Sequence, residues 1–269
     1  MIAALKLPPR PVPLHFRRME IKYLLPDRFL DELMDRLMPY VRPDPFLEME
    51  GEGRTVYPVT SLYFDSIDLQ SLREKDAGLL SRRKLRLRTY EEEFSEQSPS
   101  FLEIKRRHDF IVSKDRLSLS VGHLTSSHPM QHVLDHVLDR VEASEEVTAE
   151  AQVMRGWYNL QPTAFVSYLR APFVGKHDRR FRITVDRELK GMWKPPHLMG
   201  SLPLRPCMAG YSIIELKCNH SAPAWFHNII QDLNLVHTAS SKYAMTVLSL
   251  NPFLFDAESV ELQRFRSFR

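Results

Sequence analysis

Basic residues recur at every second position in several short segments of the sequence. The clearest case is RRKLRLRTY, residues 82–90, in which Arg82, Lys84, Arg86 and Arg88 occupy alternate positions. Because successive side chains of a β-strand point to opposite faces of the sheet, these four cations would share one face. A solvated face is the usual explanation for one such strand, yet like charges so placed repel one another unless an anion lies between them. The run therefore indicates a surface that binds a polyvalent anion.

The same alternation places polar and charged side chains on single faces of other segments. Charged faces on several strands that converge on one axis predict a closed antiparallel β-barrel with a polar, basic lumen and helices packed outside. In such a lumen, arginine and lysine would neutralise phosphate oxygens while carboxylates would hold Mg²⁺ or Mn²⁺. The groups that share faces are Arg18, Glu20 and Lys22; Glu103 and Lys105; Tyr168 and Arg170; Arg182, Thr184 and Asp186; and Glu215 and Lys217.

Composition excludes several classes of protein. The 269 residues are 43% hydrophobic and 26% charged with a formal net charge of +3, which is ordinary for a globular protein and excludes a disordered chain. The 26 arginines against 11 lysines suit bidentate contacts with phosphate, although a GC-rich genome would produce the same excess. Two cysteines are too few for a disulfide framework or a four-ligand zinc site, so reduced thiols in a cytoplasmic protein are expected. GxGxxG, P-loop and long apolar segments are missing, so neither nucleotide-binding motif nor a transmembrane segment is predicted.

These charges are positioned by a predicted single domain of the α+β class, residues 17–252, between a flexible N-terminal arm, 1–16, and a basic C-terminal tail, 253–269. Alternating hydrophobicity predicts strands, and apolar stripes of helical period predict helices, with Ser221 and Asp65 as candidate helix caps. The predicted strands are 17–25, 56–65, 82–90, 100–106, 164–173, 180–185 and 211–217. The predicted helices are 27–38, 67–75, 130–141, 222–235 and 240–248.

A series of motifs resembles the vacuolar transporter chaperone (VTC) domain over nearly all of this predicted domain, in the same order. The resemblance implies the triphosphate tunnel fold, an antiparallel barrel of about eight strands around a basic tunnel. Members of that family polymerise inorganic polyphosphate from the γ-phosphate of ATP, and relatives hydrolyse triphosphates or cyclise ATP. The motifs are RxExKY (18–23), SLYFD (61–65), RRKLRLRTY (82–90), FLEIK (101–105), SYLRAPF (167–173), RFRITVD (180–186), IIELK (213–217) and SSKY (240–243).

The resemblance also implies which residues form the site. The catalytic cations implied are Lys22, Arg86, Arg88, Lys105, Arg170, Arg182 and Lys242. Further substrate contacts are expected from Glu20, Lys84, Lys114, Tyr63 and Lys217, with Lys114 in a loop, and Glu215 is expected to bind Mn²⁺ or Mg²⁺. A surface position is expected for the histidines at 128, 132 and 136, although their spacing of four would also suit a metal.

The function implied is a polyphosphate polymerase with ATP and inorganic polyphosphate as partners. A tunnel triphosphatase is the first alternative, but that branch opens with ExExK, and Arg18 stands where its first glutamate would be. A non-catalytic polyphosphate-binding module is the second alternative. Nucleic-acid binding is a further alternative, because basic strands with Tyr90 and Tyr168 could stack bases, but a lumen too narrow for bases would exclude it. Eukaryotic members add a phosphate-sensing domain and membrane helices, so a stand-alone bacterial form is expected, and any coupling to a membrane would need a separate membrane partner, whose existence is left open. The oligomeric state is left open.

Overall fold

The structure is a computed structural model that describes residues 19–45, 47, 55–108, 111–120, 129–139, 146–219, 221–239, 241–251 and 254. The predicted N-terminal arm, Arg18, His128, Ser240 and all of the predicted tail except Leu254 lie outside this described part. None of the helices within it is long and apolar enough to cross a membrane.

Strands supply most of the framework in the described part of the chain. They are β1 (Met19–Pro26), β2 (Val41–Pro43), β3 (Tyr57–Asp65), β4 (Ser81–Thr89), β5 (Pro99–His108), β6 (Ile111–Ser120), β7 (Gln161–Gly175), β8 (Arg182–Trp193), β9 (Arg205–Pro206), β10 (Tyr211–Cys218) and β11 (Val236–His237). The helices are α1 (Leu30–Leu37), α2 (Gln70–Asp76), α3 (Val133–Asp139), α4 (Glu146–Tyr158), α5 (Ala224–Asp232) and α6 (Lys242–Leu250). Short 3₁₀ turns, Asp27–Phe29 and Met130–His132, lead into α1 and α3.

The strands form one antiparallel sheet in the order β11-β1-β10-β8-β7-β3-β4-β5-β6, with β2 added to β7 and β9 to β8. The register places charged residues directly opposite one another, as with Lys22 opposite Glu215 and Arg86 opposite Glu103. Since side chains opposite each other in a ladder lie on the same face, every strand from β1 to β6 along this order contributes to one shared charged face.

The other face of the sheet is apolar and is covered by helices. Leu62, Leu85 and Leu102 are fully buried in a cluster to which α3 and α4 contribute. Ile183 and Ile214 belong to a second cluster, which buries the apolar stripes of α1 and α5. Because helices cover both ends of this face, the charged face is the inner one, as the alternation of the sequence predicts.

Helix α6 is the exception, because it packs against the inner face. Tyr243 and Val247 are almost fully buried in one cluster with Val59, Val166 and Ile213, which are inner-face residues of β3, β7 and β10. One part of the inner face is therefore covered by an apolar helix, and the charged side chains occupy the rest of that face.

Gly191 on β8 allows this close approach of α6. A Cβ atom at that position would lie 2.6 Å from the carbonyl oxygen of Phe165 and closer still to the methyl group of Thr246 on α6. Any larger residue would have to displace the backbone or the helix.

The sheet curls so that its two ends approach each other. Nζ of Lys105 on β5 lies 2.9 Å from Oε1 of Glu20 on β1, although the two strands are far apart in the strand order. No backbone pairing joins β1 to β6 among the described residues, so the prediction of a closed barrel is not confirmed. The observed fold is a curled antiparallel α+β sheet whose ends are joined by side chains.

Most predicted elements are present, with specific exceptions. All seven predicted strands exist, and β7 and β8 are longer than predicted. Strand β6 and helix α4 were not predicted, because 111–120 mixes charges into both faces and α4 has a weak apolar stripe. Ser221 is not the cap of α5, which begins after Pro223. Asp65 is not the N-cap of α2, which is Leu69, but its Oδ1 accepts a hydrogen bond from the backbone N–H of Ser71 in the first turn at 2.9 Å.

Candidate functional site

The first cluster of charges surrounds Glu103 on β5, whose side chain is completely buried. Arg86 donates two contacts to Oε2, at 2.8 Å from Nε and 2.7 Å from Nη2. Arg88 lies 3.5 Å from the same oxygen, while Lys114 and Arg116 approach Oε1 at 3.2 and 2.7 Å. Although burial raises the pKa of Glu103, the four cations lower it well below its usual range. One carboxylate thus holds four cations in a convergent arrangement.

The second cluster surrounds Asp186 on β8 and Glu215 on β10. Arg170 donates a bidentate pair of hydrogen bonds to Asp186 at 2.7 and 2.8 Å, and Nζ of Lys242 lies 2.5 Å from Oδ2. Lys217 lies 2.8 Å from Oε1 of Glu215. Burial raises the pKa of both carboxyls, yet the surrounding cations hold both pKa values below their ordinary ranges. Helix α6 therefore delivers Lys242 into the centre of the charged face.

A third group lies where the two ends of the sheet meet. Glu20 on β1 accepts two hydrogen bonds from Lys105, at 2.9 and 3.1 Å, and lies 3.6 Å from Lys22. Glu20 and Glu215 are close enough for each to influence the charge of the other, so this group adjoins the Asp186 cluster. The charged face is continuous from the sheet ends to the helix.

Tyrosine side chains link the clusters. The hydroxyl of Tyr63 accepts a hydrogen bond from Nη1 of Arg86 at 2.8 Å, and its ring stacks on Tyr243 at 5.0 Å. The ring of Tyr168 lies beneath Arg170 and Lys242, at 5.3 and 4.8 Å from their charged atoms. These contacts fix the long cationic side chains in defined positions.

The structure brings nearly all of the predicted site residues together. Two depart from expectation. Lys114 lies on β6 and not in a loop, so its side chain is directed by the ladder. Arg182 lies on the inner face by register but at its solvent-exposed end, without an ion pair among the described residues. Its place is at the entrance to the charged face.

Sequence reasoning missed Glu103, Asp186 and Arg116 as site residues. Glu103 and Asp186 were visible in the alternating pattern, but a lone carboxylate among cations gives no sign of being the centre of a cluster. Arg116 belongs to the unpredicted strand β6. Its position opposite Glu103 follows only from the pairing of β5 with β6.

The charged face carries an excess of positive charge. Its carboxylates in the described part of the chain are Glu20, Asp65, Glu103, Asp186 and Glu215. Its cations outnumber them: Lys22, Arg82, Lys84, Arg86, Arg88, Lys105, Arg107, Lys114, Arg116, Arg170, Arg182, Lys217 and Lys242. Ion pairs within the face cannot neutralise this excess, which supports binding of a polyvalent anion.

Lys84 is the cation most sensitive to pH. It donates a hydrogen bond to Oγ of Ser241 at 3.1 Å and lies over the ring of Tyr243 at 5.0 Å. Burial lowers the pKa of Lys84 to about 7, because the charged form loses its water and Asp65 compensates only in part. Its charge is therefore present below pH 7 and lost above it.

We predict that the affinity for tripolyphosphate falls more steeply with pH in the parent protein than in Lys84→Met. Between pH 6 and pH 8 the parent loses one cation beside the ligand, which corresponds to an extra fall of about fivefold to tenfold. Calorimetric titration at constant ionic strength measures this difference, and Lys190→Met, an exposed lysine paired with Glu188, is the control. Identical pH profiles for parent and Lys84→Met would contradict the prediction.

The same pKa shift of Lys84 has the opposite effect on stability: the affinity for the anion falls with pH, whereas the free energy of unfolding rises. Lysine in the unfolded chain titrates near 10.5 and Lys84 in the folded chain near 7, so between these values the unfolded chain binds more protons. The free energy of unfolding should therefore rise with pH across this window, and less so in Lys84→Met.

Glu215 is the residue for which a divalent metal was predicted. Its Oε1 is held by Lys217, but the cations nearest to Oε2, Lys242 and Arg170, lie at 3.7 and 4.0 Å, beyond hydrogen-bond distance. The described residues contain no cluster of three or more His, Cys, Asp or Glu side chains that could hold a metal. Mg²⁺ often takes only one or two carboxylates and completes its shell with substrate phosphates and water. Glu215 fits a metal that arrives with a phosphate ligand.

A cleft of about 470 Å³ lies elsewhere, lined by Thr60, Ser167, Glu188 and Lys190 among others. It includes none of the converging cations. Many cations of the charged face are paired with its own carboxylates, and a ligand would compete with these ion pairs.

Comparison with known proteins gives a family match and distant structural likenesses. A candidate adenylate cyclase from Bacillus halodurans is similar, with 15% identity, coverage of 83% of this chain and 93% of that chain, and a TM-score of 0.49. A candidate adenylyl cyclase from Hippeastrum, described with a dominant triphosphatase activity, has 15% identity, coverage of 90% and 99%, and a TM-score of 0.46. No curated protein sequence matches significantly.

The family match covers most of the chain. The VTC domain model matches residues 17–251, which include every strand and helix of the described sheet. Since this span contains all the motifs and all the converging cations, the chain belongs to the VTC domain family.

Proposed function

We propose that the protein is a polyphosphate polymerase, which transfers the γ-phosphate of ATP onto a growing polyphosphate chain. The observation that carries the proposal is the convergence of cations in excess over carboxylates on one inner face. A single phosphate ion would not need so many cations spread over β1, β4, β5, β6, β7, β8, β10 and α6. A chain of phosphates would need cations along its whole length.

Positioning and charge stabilisation are the main contributions a protein makes to phosphoryl transfer. Arg86 and Arg88 would exchange part of their contact with Glu103 for oxygens of the triphosphate. Arg170 and Lys242, held by Asp186, would contact the phosphates on the other side. The terminal oxygen of the growing chain would attack the γ-phosphorus, the bond from that phosphorus to the β–γ bridging oxygen would break, and ADP would leave.

Lys22 and Lys105 would bind the growing chain near the ends of the sheet, and Arg182 would attract it at the exposed entrance. Lys84, Lys114, Lys217 and Tyr63 would add contacts along the face, with Glu20 orienting Lys105. Glu215 would hold Mn²⁺ or Mg²⁺, which would supply positive charge against the phosphates.

The direct test is incubation of the protein with ATP and Mn²⁺. Polymer that stains as polyphosphate and disappears on treatment with an exopolyphosphatase is expected, together with one ADP for each phosphate incorporated. Lys22→Ala and Glu215→Ala should abolish it, whereas Lys190→Ala on the outer surface should not.

The other outcomes separate the alternatives. Release of orthophosphate without polymer would identify a tunnel triphosphatase, and tight binding of tripolyphosphate without turnover would identify a binding module. If Lys22→Ala and Glu215→Ala both match the parent, the site assignment is wrong.

A further inference from the structure

An aromatic patch lies at one end of the charged face. Tyr57 and Phe101 lie on the inner face, as the pairings of β3 with β7 and of β5 with β4 indicate, and Tyr90, the residue after β4, packs against both rings. The ring centroids of Tyr57 and Tyr90 are 5.7 Å apart, as are those of Tyr90 and Phe101, and both pairs are edge-to-face. All three rings are only half-buried.

Arg116 covers this patch. Its guanidinium carbon lies 4.5 Å from the ring centroid of Phe101 and 5.5 Å from that of Tyr90, and Nη2 donates a hydrogen bond to the Tyr90 hydroxyl at 2.5 Å. A third of the Arg116 side chain, 33%, remains exposed. A planar guanidinium with one face on an aromatic ring and part of its surface open offers a stacking surface to another planar group.

The patch directly adjoins the cations that would hold phosphates. Arg116 and Arg88 approach the two oxygens of the same carboxylate, Glu103, at 2.7 and 3.5 Å. A ligand with its phosphates against Arg88 and Arg86 would therefore extend its non-phosphate end over Arg116.

The other tyrosines of the charged face cannot serve the same purpose. Tyr168 is only 4% exposed, and the cations over its ring, Arg170 and Lys242, are themselves largely buried, unlike Arg116. Tyr63 is 8% exposed and stacks on Tyr243. Among the described residues of this face, the patch of Tyr57, Tyr90 and Phe101 is the one that combines open aromatic surface with adjacent phosphate-binding cations.

We propose that this aromatic patch, with Arg116, is a nucleobase-binding subsite that stacks the base of a nucleoside triphosphate. The inference rests on the proposed function only for its choice of ATP as the donor. The subsite would set the direction of the nucleotide, with the base over Arg116 and the γ-phosphate pointing toward the Asp186 cluster.

The test compares ATP with tripolyphosphate, which has the phosphates but lacks the base. Phe101→Leu and Tyr90→Leu keep apolar bulk and remove the aromatic face. Because stacking of a base is worth about 1–3 kcal/mol, each should weaken ATP binding about fivefold or more while leaving tripolyphosphate binding within about twofold of the parent. Tyr40→Leu is the matched control, since Tyr40 is stacked on Trp225 away from the charged face. Dissociation constants from calorimetry at fixed salt give both values.

Two results would overturn the subsite: equal weakening of both ligands in both variants, or no change in either variant. Failure of the parent to bind either ligand would also overturn it. A changed ratio of the two affinities without any polymer formation would support the subsite while contradicting the polymerase. Polymer formation with an unchanged ratio would support the polymerase and contradict the subsite.

Discussion

Replacing Arg86 by alanine is expected to reduce kcat/KM for polymer formation from ATP by about 10²–10³-fold, the effect of removing one preorganised charge from a transition state. Arg86 is held on the charged face by Glu103 and by the hydroxyl of Tyr63, so its guanidinium is already in place when it exchanges part of its contact with Glu103 for a phosphate. Steady-state kinetics of ADP release, with polymer length measured in parallel, would give the value.

Replacing Arg86 by lysine tests whether a positive charge alone is sufficient or whether the planar guanidinium is needed. Arg86→Lys should restore less than a tenth of the lost activity, because an ammonium group cannot reproduce a planar fork that contacts a carboxylate and a tyrosine together. Arg106→Ala is the matched control: Arg106 lies on the outer face of β5, one residue beyond Lys105, and pairs with Glu150 and Asp115. Its loss should leave turnover within about twofold. An Arg86→Ala variant that is folded and fully active would contradict the assignment of the Glu103 cluster to the site.

The second large effect concerns stability. Glu103→Gln is expected to lower the free energy of unfolding by about 3–5 kcal/mol, because it removes the buried charge on which four cations converge. Arg86, Arg88, Lys114 and Arg116 would then repel one another with only a neutral amide between them. Urea denaturation at pH 7 measures the loss. Glu150→Gln, a partly exposed carboxylate on the outer side, should cost about 1 kcal/mol or less.

Two further measurements separate this cause from simple misfolding. Tripolyphosphate should stabilise Glu103→Gln more than the parent, since a bound anion replaces the missing charge. The folded pKa of Glu103 lies far below its unfolded value of 4.5, so its contribution is fully present above pH 4.5 and is lost progressively as the pH falls from there toward the folded pKa. The difference between parent and variant should therefore shrink on acidification. A difference that persists unchanged at pH 2.5, or an absence of rescue by the anion, would contradict the prediction.

Several parts of the architecture could be predicted from sequence for local reasons. Alternation in 82–90 and 211–217 is a property of neighbouring residues, so β4, β10 and the face on which their charges lie were predicted correctly. Strand β6 was missed because its side chains are mostly exposed and because Ser113 and Asp115 interrupt the apolar face to which Leu117 and Leu119 belong. It forms because β5 offers it a hydrogen-bonding edge.

The sequence alone determines which charged residues share a face of each strand, because side chains alternate between the two faces with a period of two, independently of the neighbouring strands. The family membership follows from the same linear motifs. Which cation meets which carboxylate depended on the register between strands and on the curl of the sheet, which no single segment specifies. Only the folded chain brings Lys105 to Glu20 and sends Lys242 from a helix to Asp186, since these contacts join segments that are distant in sequence. The four cations gather around Glu103 because of the register of three consecutive strands, β4, β5 and β6.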